Sequence, residues 1–449
     1  MMDRAALGLD SGDELVIAVL RRLIRFAAVN YGDGVSDGEL PTANWVAEVL
    51  RASGYEPQIL ARDDAPERAN VVLRIPGRDR ALPAVLIHGH LDVVPVEASE
   101  WSVDPFAGEI VDGYVTGRGS VDMLDTVATM LATAVEWADE GVTPTRDVVM
   151  AFVADEEAGG DYGADWLVRN HAALFAGCAV AVGEDGAQFT PVPAPDGREV
   201  RLYPIACAER GAMHSLLHVT GPAGHGSRPT RDNAVAKLVA ALNRIAEYRW
   251  PLQVSPVVAA QLQASATALG LDVDLDDERS IAAVVAALGP AAGALGFTTR
   301  VSAALTVLKA GYKVNVIPGY AEARVDVRYP PGAYKTTLAA MNELIGDEVT
   351  WEFPEWGEPP ESDPNSEWFA AMRAAIVAAD PAAVVVPYCM GGSTDGRAFA
   401  TLGMQAFGFT PLTQAPGGRL PTHIHVANER NPVDGIVGGH AIMRAFLEA

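Results

Sequence analysis

Between residues 70 and 182 short apolar runs alternate with helical patterns, and this alternation constrains the fold more than any other feature of the chain. Segments 70–75, 84–88, 147–154 and 179–182 read as strands, whereas 127–139 and 164–175 carry the wider apolar spacing of helices. Strands that take turns with helices predict an α/β fold, a three-layer sandwich around a mostly parallel central sheet. Such sheets bind ligands beyond the carboxyl ends of their strands. Polar residues standing directly after strands are therefore the first candidates for chemistry.

From Gly211 the pattern changes. Strands are expected at 214–220, 301–308, 322–328 and 348–353, with helices at 233–248 and 334–344. These make a compact α+β unit inserted in the first one. The expected organisation is a catalytic domain formed by 1–210 and 357–449, interrupted by a smaller domain at 211–356 that carries an Ala-rich helical insertion at about 251–299. The Pro/Glu-rich stretch 353–364 reads as the linker back, and 367–378 as a helix of the first domain. A length of 449 residues suits two domains.

Composition excludes several partners. The net charge is −25, from 33 basic and 58 acidic residues, so phosphate backbones and anionic lipid are repelled, and neither nucleic acid nor membrane is expected as a partner. Cys178, Cys207 and Cys389 are scattered and odd in number, which is neither a disulfide framework nor a CxxC metal site and agrees with a cytoplasmic location. Ser11 and Glu14 are spaced as a capping box ahead of an amphipathic helix starting near Leu15, and Arg21, Arg22 and Arg25 rule out an apolar leader. The uncharged stretch 280–299 is long enough to span a bilayer, but Gly289-Pro290 divides it, and two short packed helices are expected.

Metal-type ligands concentrate after the predicted strands. His90 and Asp92 follow the strand 84–88; an Asp92 carboxylate could receive the second N–H of a metal-bound His90. In Gly117-Arg118-Gly119-Ser120-Val121-Asp122 two glycines bring backbone close and leave Asp122 at the mouth of a helix. Asp155-Glu156-Glu157 follows strand 147–154 directly, and three adjacent acids at a strand end are costly unless cations compensate them. One of the glutamates can bind metal while its neighbour stays free as a base. Glu184-Asp185 follows strand 179–182 and offers a further ligand from either residue, and His423-Ile424-His425 offers one histidine near the C-terminus. There is no H-E-x-x-H, G-x-S-x-G or P-loop motif.

Taken in order, these segments resemble the di-zinc metallopeptidase family that includes aminoacylase, carboxypeptidase G, acetylornithine deacetylase, succinyl-diaminopimelate desuccinylase and carboxypeptidase S. The resemblance rests on Gly89-His90-Leu91-Asp92-Val93-Val94-Pro95, Trp101 with Asp104-Pro105-Phe106, Gly117-Arg118-Gly119 through Asp122-Met123, and Asp155-Glu156-Glu157. It continues through Ala223-Gly224-His225-Gly226-Ser227-Arg228-Pro229, Asn315-Val316-Ile317-Pro318-Gly319, and His425 with Asn428-Glu429. It implies that the inserted domain is ferredoxin-like and serves dimerisation or as a lid. It implies two divalent ions, zinc with cobalt or manganese as substitutes: His90 and Glu184 on one, Glu157 and His425 on the other, with Asp122 and a water between. Two such cations about 3.5–4 Å apart activate the water and polarise the scissile carbonyl. Glu156 would be the general base, Asp92 the partner of His90, and His225 an oxyanion stabiliser reaching the site of the other subunit of a homodimer. Asn315 matches a position that helps bind substrate, and Arg328 or Arg397 could grip a substrate carboxylate. Leu124 and Asp125 depart from the pattern, where relatives have lysine and glycine.

The resemblance implies hydrolysis of an amide bond, in a small substrate with a free carboxylate: an N-acyl amino acid or a short peptide. A carbamoyl or ester hydrolase on the same two ions is the alternative within the class. A non-catalytic dimeric binding protein on the same scaffold is the alternative outside it.

Overall fold

The computed structural model describes residues 5–354, 357–413 and 424–449. His423 and part of the 353–364 linker lie outside the described residues. A nine-stranded sheet forms the centre. Four strands in its middle, Gln405–Gly408, Cys178–Gly183, Ala84–His90 and Val148–Val153, run parallel. On either side the sheet turns antiparallel, through Ala65–Ile75 and Gln58–Arg62 at one edge and Glu199–Glu209 and Thr190–Pro193 at the other; Ala383–Met390 pairs in parallel with Glu199–Glu209. The sheet is thus mixed, its parallel part being the four strands that carry the candidate ligands or flank them. The antiparallel flank at 58–75 follows from the two-residue connection between its strands, too short for a crossover.

Strand alternation builds the layers. In Val148–Val153 the side chains of Val148, Met150 and Phe152 enter one core, with helices Leu15–Ile24, Leu124–Glu140 and Val433–Glu448. Val149, Ala151 and Val153 enter another, with Leu167 of Ala164–Asn170 and Phe399 of Gly396–Ala400. Each face of the sheet is covered, so strands buried on both sides read as continuous apolar runs. The first helix begins at Leu15 with Glu14 at its N-cap and no side-chain cap bond, so the Ser11 capping box does not form.

A third core gathers Met213, Leu217, Leu238, Val325, Tyr329 and Met341, among others. Here Ser302–Ala310, Tyr320–Tyr329, Gly211–Thr220 and Thr350–Glu352 pair in that order, all antiparallel, under helices Ala234–Glu247 and Tyr334–Ile345. The chain order strand-helix-strand-strand-helix-strand with this sheet order is ferredoxin-like. Segment 251–299 is helical, as Pro256–Leu269, Glu278–Leu288 and Leu295–Thr298, with the break falling at Gly289-Pro290. Its apolar residues do not join the small core. Val257, Val258, Leu262, Leu269, Val284, Leu288 and Leu295 belong to the core of the large unit. The stripe on Pro256–Leu269 lies against Ala383–Met390, and Cys389 N donates to Gln261 Oε1 across that contact. Among the described residues no helix is long and apolar enough to cross a membrane.

Candidate metal centre

The parallel strands end level with one another. His90 stands opposite Val153, and Ile87 opposite Val182. His90, the Asp155-Glu156-Glu157 turn and Glu184 therefore leave the sheet at the same edge. Loop 117–122 approaches from one side; Gly119 sits at φ +82°, and a Cβ there would meet Val93 Cγ1 at 2.7 Å, so glycine is required. The Asp122–Met123 peptide that follows is cis. His425 comes from a segment whose continuation, Glu429 to Pro432, is bonded to the start of that same loop.

The side chains converge on Asp122. Its Oδ1 lies 3.1 Å from His90 Nε2 and its Oδ2 lies 3.0 Å from His425 Nε2. Glu184 Oε2 is 3.6 Å from His90 Nε2, and Glu157 Oε1 is 3.3 Å from His425 Nε2. Glu156 Oε2 lies farther off, 4.0 Å from His90 Nε2. Two donor sets fall within metal-binding reach: His90, Asp122 and Glu157, and His90, Glu156 and Glu184. The second set contains the residue expected as the base.

The electrostatics show a site short of positive charge. Burial raises the Glu184 carboxyl to about 8 against the pull of His90. Burial and then the neighbouring Glu184 push Glu156 well above the usual carboxylate range. Burial also raises Glu157. Asp122 goes the other way: burial opposes its ionisation, but the bonds to His425 and His90 outweigh it. Bonds to Asp122 and Glu157 raise His425 to about 10. Glu157 Oε1 is buried, and His425 Nε2 at 3.3 Å is its ion-pair partner. Crowded buried carboxylates and two imidazole nitrogens pointed at one oxygen pair make a donor set that fits divalent cations of the zinc, cobalt or manganese kind.

Asp92 takes a different place from the one expected. His90 Nδ1 meets the main-chain oxygen of Asp92 at 2.9 Å, whereas the nearer carboxylate oxygen is 3.5 Å away. A carbonyl only accepts, so Nδ1 carries the proton and Nε2 faces the other ligands. The Asp92 carboxylate instead accepts from Glu156 N at 3.3 Å, Glu157 N at 3.2 Å and Asn30 Nδ2 at 2.9 Å. The reason is the turn at Asp155, which points two main-chain N–H groups at Asp92.

The neighbouring acid Asp185 is engaged elsewhere, accepting from Gly186 N at 2.6 Å and from the Tyr388 hydroxyl. His225 is not brought to the cluster within one chain. It is exposed on a short ladder, Gly224–His225 against Val316–Ile317, with Nδ1 2.8 Å from Ser227 Oγ, and Gly226 N bonds the main chain of Asn315. Arg328 pairs with Asp326 at 2.8 Å, and Arg397 is held by both oxygens of Asp165, at 3.0 and 3.3 Å. Asp125 accepts from Thr126 N at 2.7 Å and Asn431 Nδ2 at 2.8 Å.

Sequence reading missed several supports. Glu429 is buried, bound by Arg118, and accepts from Val121 N at 2.8 Å and Asp122 N at 3.3 Å, tying the Asp122 loop to the segment after His425. Asp395 is buried beside Gly160, with Oδ2 unpartnered and its carboxyl raised by burial to about 8. Arg68, Glu39 and Asn30 lie behind Asp92. Nothing local singled out Arg68, whose strand also carries Glu67, Asn70 and Arg74.

Fold and site together define a metallohydrolase of the two-domain kind. Residues 86–449 match the model of peptidase family M20/M25/M40, and the chain belongs to that family. It is accordingly an enzyme, a metal-dependent amidohydrolase. It is 30% identical to human aminoacylase-1 over 381 residues, covering 82% of this chain and 79% of that one. It is 29% identical to a probable carboxypeptidase S-like 2 of Dictyostelium discoideum over 347 residues, 75% of this chain and 66% of the relative. Among solved structures, an M20 family metallo-carboxypeptidase from Sulfolobus solfataricus superposes with a TM-score of 0.72 at 17% identity, covering 97% of this chain and 99% of that one. A dinuclear metal-binding peptidase of the same family from Bacillus subtilis gives 0.57 at 15% identity, covering 97% and 98%.

Proposed function

We propose that the protein hydrolyses an amide bond in an N-acyl amino acid or short peptide, at a centre of two divalent ions. The observation that carries this reading is Asp122, whose two carboxylate oxygens each face a different imidazole, His90 on one side and His425 on the other. On it, His90 and Glu184 would hold one ion, Glu157 and His425 would hold the other, and Asp122 would serve both. Glu184 is preferred to Asp185 because the Asp185 carboxylate already accepts from Tyr388 and Gly186. Zinc suits the N/O donor set, with cobalt or manganese as replacements. Two ions there would activate a water and polarise the scissile carbonyl.

Glu156 then takes the water's proton and returns it to the leaving amine. Asp92 orients both His90 and the Glu156–Glu157 turn. His225 would act from a second subunit, donating to the developing oxyanion. A homodimer would form along the edge strand Ser302–Ala310, whose outer side pairs with nothing among the described residues and whose Leu305, Val307 and Leu308 are exposed. The three free cysteines agree with a reducing cytoplasm.

The test is metal analysis of protein purified without chelator, with hydrolysis of a panel of N-acyl amino acids, dipeptides, carbamoyl amino acids and esters before and after chelation. About two ions per chain, with activity lost on chelation and restored by zinc or cobalt, is the expected result. No metal bound or taken up would sink the reading, and turnover of carbamoyl or ester substrates alone would move the bond.

A further inference from the structure

Behind the cluster lies a buried polar chain that ends far from it. Asp155 Oδ1 accepts from Arg68 Nη2 at 2.8 Å and from Asn30 Nδ2 at 3.1 Å, and Asp155 Oδ2 accepts from Tyr162 N at 3.1 Å. The same Asn30 amide donates to Asp92 at 2.9 Å. Both oxygens of Glu39 accept from the same guanidinium, from Nε at 2.8 Å and from Nη2 at 2.9 Å, so that Nη2 is shared between Glu39 and Asp155, and the guanidinium stands 5.1 Å from the centre of the Tyr162 ring. Arg68, Glu39, Asp155, Asp92 and Asn30 are all buried, none more than 4% exposed.

Asp155 adopts φ 68°, a left-handed conformation that a residue with a Cβ avoids. That turn brings Glu156 and Glu157 from the end of Val148–Val153 back toward His90, with their N–H groups on Asp92. Two carboxylates, Asp92 and Asp155, share one asparagine amide and face the same interior. Arg68 is the cation that compensates them, and Glu39 fixes its plane. With Arg68 gone the two would stand uncompensated in a low-dielectric interior. The relief open to Asp155 is to swing away, and that moves the two glutamates.

We propose that Arg68, oriented by Glu39, is a positioning residue that sets the Glu156–Glu157 turn through Asp155 and Asn30. This rests on the reading of Glu156 as base and Glu157 as ligand given above. A structural role alone is the competing account, because Arg68 also ties strand Ala65–Ile75 to the start of helix Leu40–Ala52.

Cobalt distinguishes the two. Full-length wild type, Arg68→Met, Arg68→Lys and Glu39→Gln are loaded with Co²⁺, and metal content, visible absorption spectrum, kcat, KM and thermal midpoint are measured on each. The expected result for Arg68→Met is a fall of about 10- to 100-fold in kcat or in affinity for the ion on Glu157, with an altered cobalt spectrum. KM should stay within about twofold, since substrate contacts are untouched. Arg68→Lys should recover part of the loss and Glu39→Gln should show a smaller one. A folded Arg68→Met with the wild-type spectrum and kcat but a lower midpoint would overturn the proposal and leave a structural tie. If Arg68→Met does not fold, the same criteria applied to Glu39→Gln decide. A wild type that takes up no cobalt would overturn the metal reading itself, a failure distinct from an unchanged variant of a metal-loaded protein.

Discussion

His425 places its Nε2 3.0 Å from Asp122 Oδ2, while the other oxygen of that carboxylate faces His90. One carboxylate thus faces two imidazoles, and on the proposed reading each ion has one imidazole of its own. Removing His425 should empty one half and spare the other. His425→Ala is expected to bind about one ion per chain instead of about two, by elemental analysis at limiting metal. Retention of both ions would mean that His425 is no ligand.

Glu156 and Glu157 are adjacent but differently engaged, Glu157 against His425 and Glu156 apart from it. On the proposed reading Glu156→Gln removes a base and no ligand, so it should lower kcat by about 10²- to 10⁴-fold with metal content unchanged. Metal loss in that variant, with metal kept in Glu157→Gln, would exchange the two roles.

Glu184 and Asp185 are separated by the same logic. Glu184→Ala should weaken binding of the ion on His90. Asp185→Asn, whose site is a bond to Tyr388 and the Gly186 turn, should leave metal content at its wild-type value. Equal metal loss in the two variants would count against Glu184 as the ligand.

If His225 acts across a dimer, two inactive variants, His225→Ala and Glu156→Ala, should regain activity when their subunits exchange. Mixed dimers at equal ratio carry one site with both residues intact. Exchange proven by tagged subunits, with no recovered activity, would remove His225 from the mechanism.

A pH effect on stability is expected far from the centre. Burial, with Arg444 nearby, lowers His440 to about 4. Its folded pKa lies below the unfolded value near 6.5, so the unfolded chain binds the proton first as pH falls. Stability attributable to this group is complete above pH about 6.5 and declines down to about pH 4, by at most ~3 kcal/mol. Denaturant melts of wild type and His440→Gln should differ in slope across that window. Parallel curves would show that His440 titrates alike in both states.

The acids and the histidine that the structure gathers around Asp122 were legible where they stand at the end of a strand or of a glycine turn, since chain position there dictates direction. His90, Glu157 and Glu184 follow strands whose apolar runs announce them. The order of strands and helices in the smaller unit was readable from its apolar runs, and its ferredoxin-like form was implied by the family resemblance. What could not be read was anything set by long-range contact. Arg68 meets Asp155 across 87 positions, and Asn30 meets it across 125. Nothing in the local pattern of 251–299 shows which core its helices will join; for Pro256–Leu269 that depends on the strand Ala383–Met390, which begins 114 positions after the helix ends (383 − 269). Asp92 was assigned through its side chain, and its main-chain oxygen proved to be the nearer acceptor, a choice fixed by the Asp155 turn.

His90 is sealed in the interior, whereas the side chain of His425 is 46% exposed. On the reading proposed here, that asymmetry makes one ion a resident and the other a visitor. The outer ion would trade with free cations in solution much faster than the inner one. A competing chelator should then strip the protein in two kinetic phases, and preparations grown in different media should carry the same inner metal beside different outer ones.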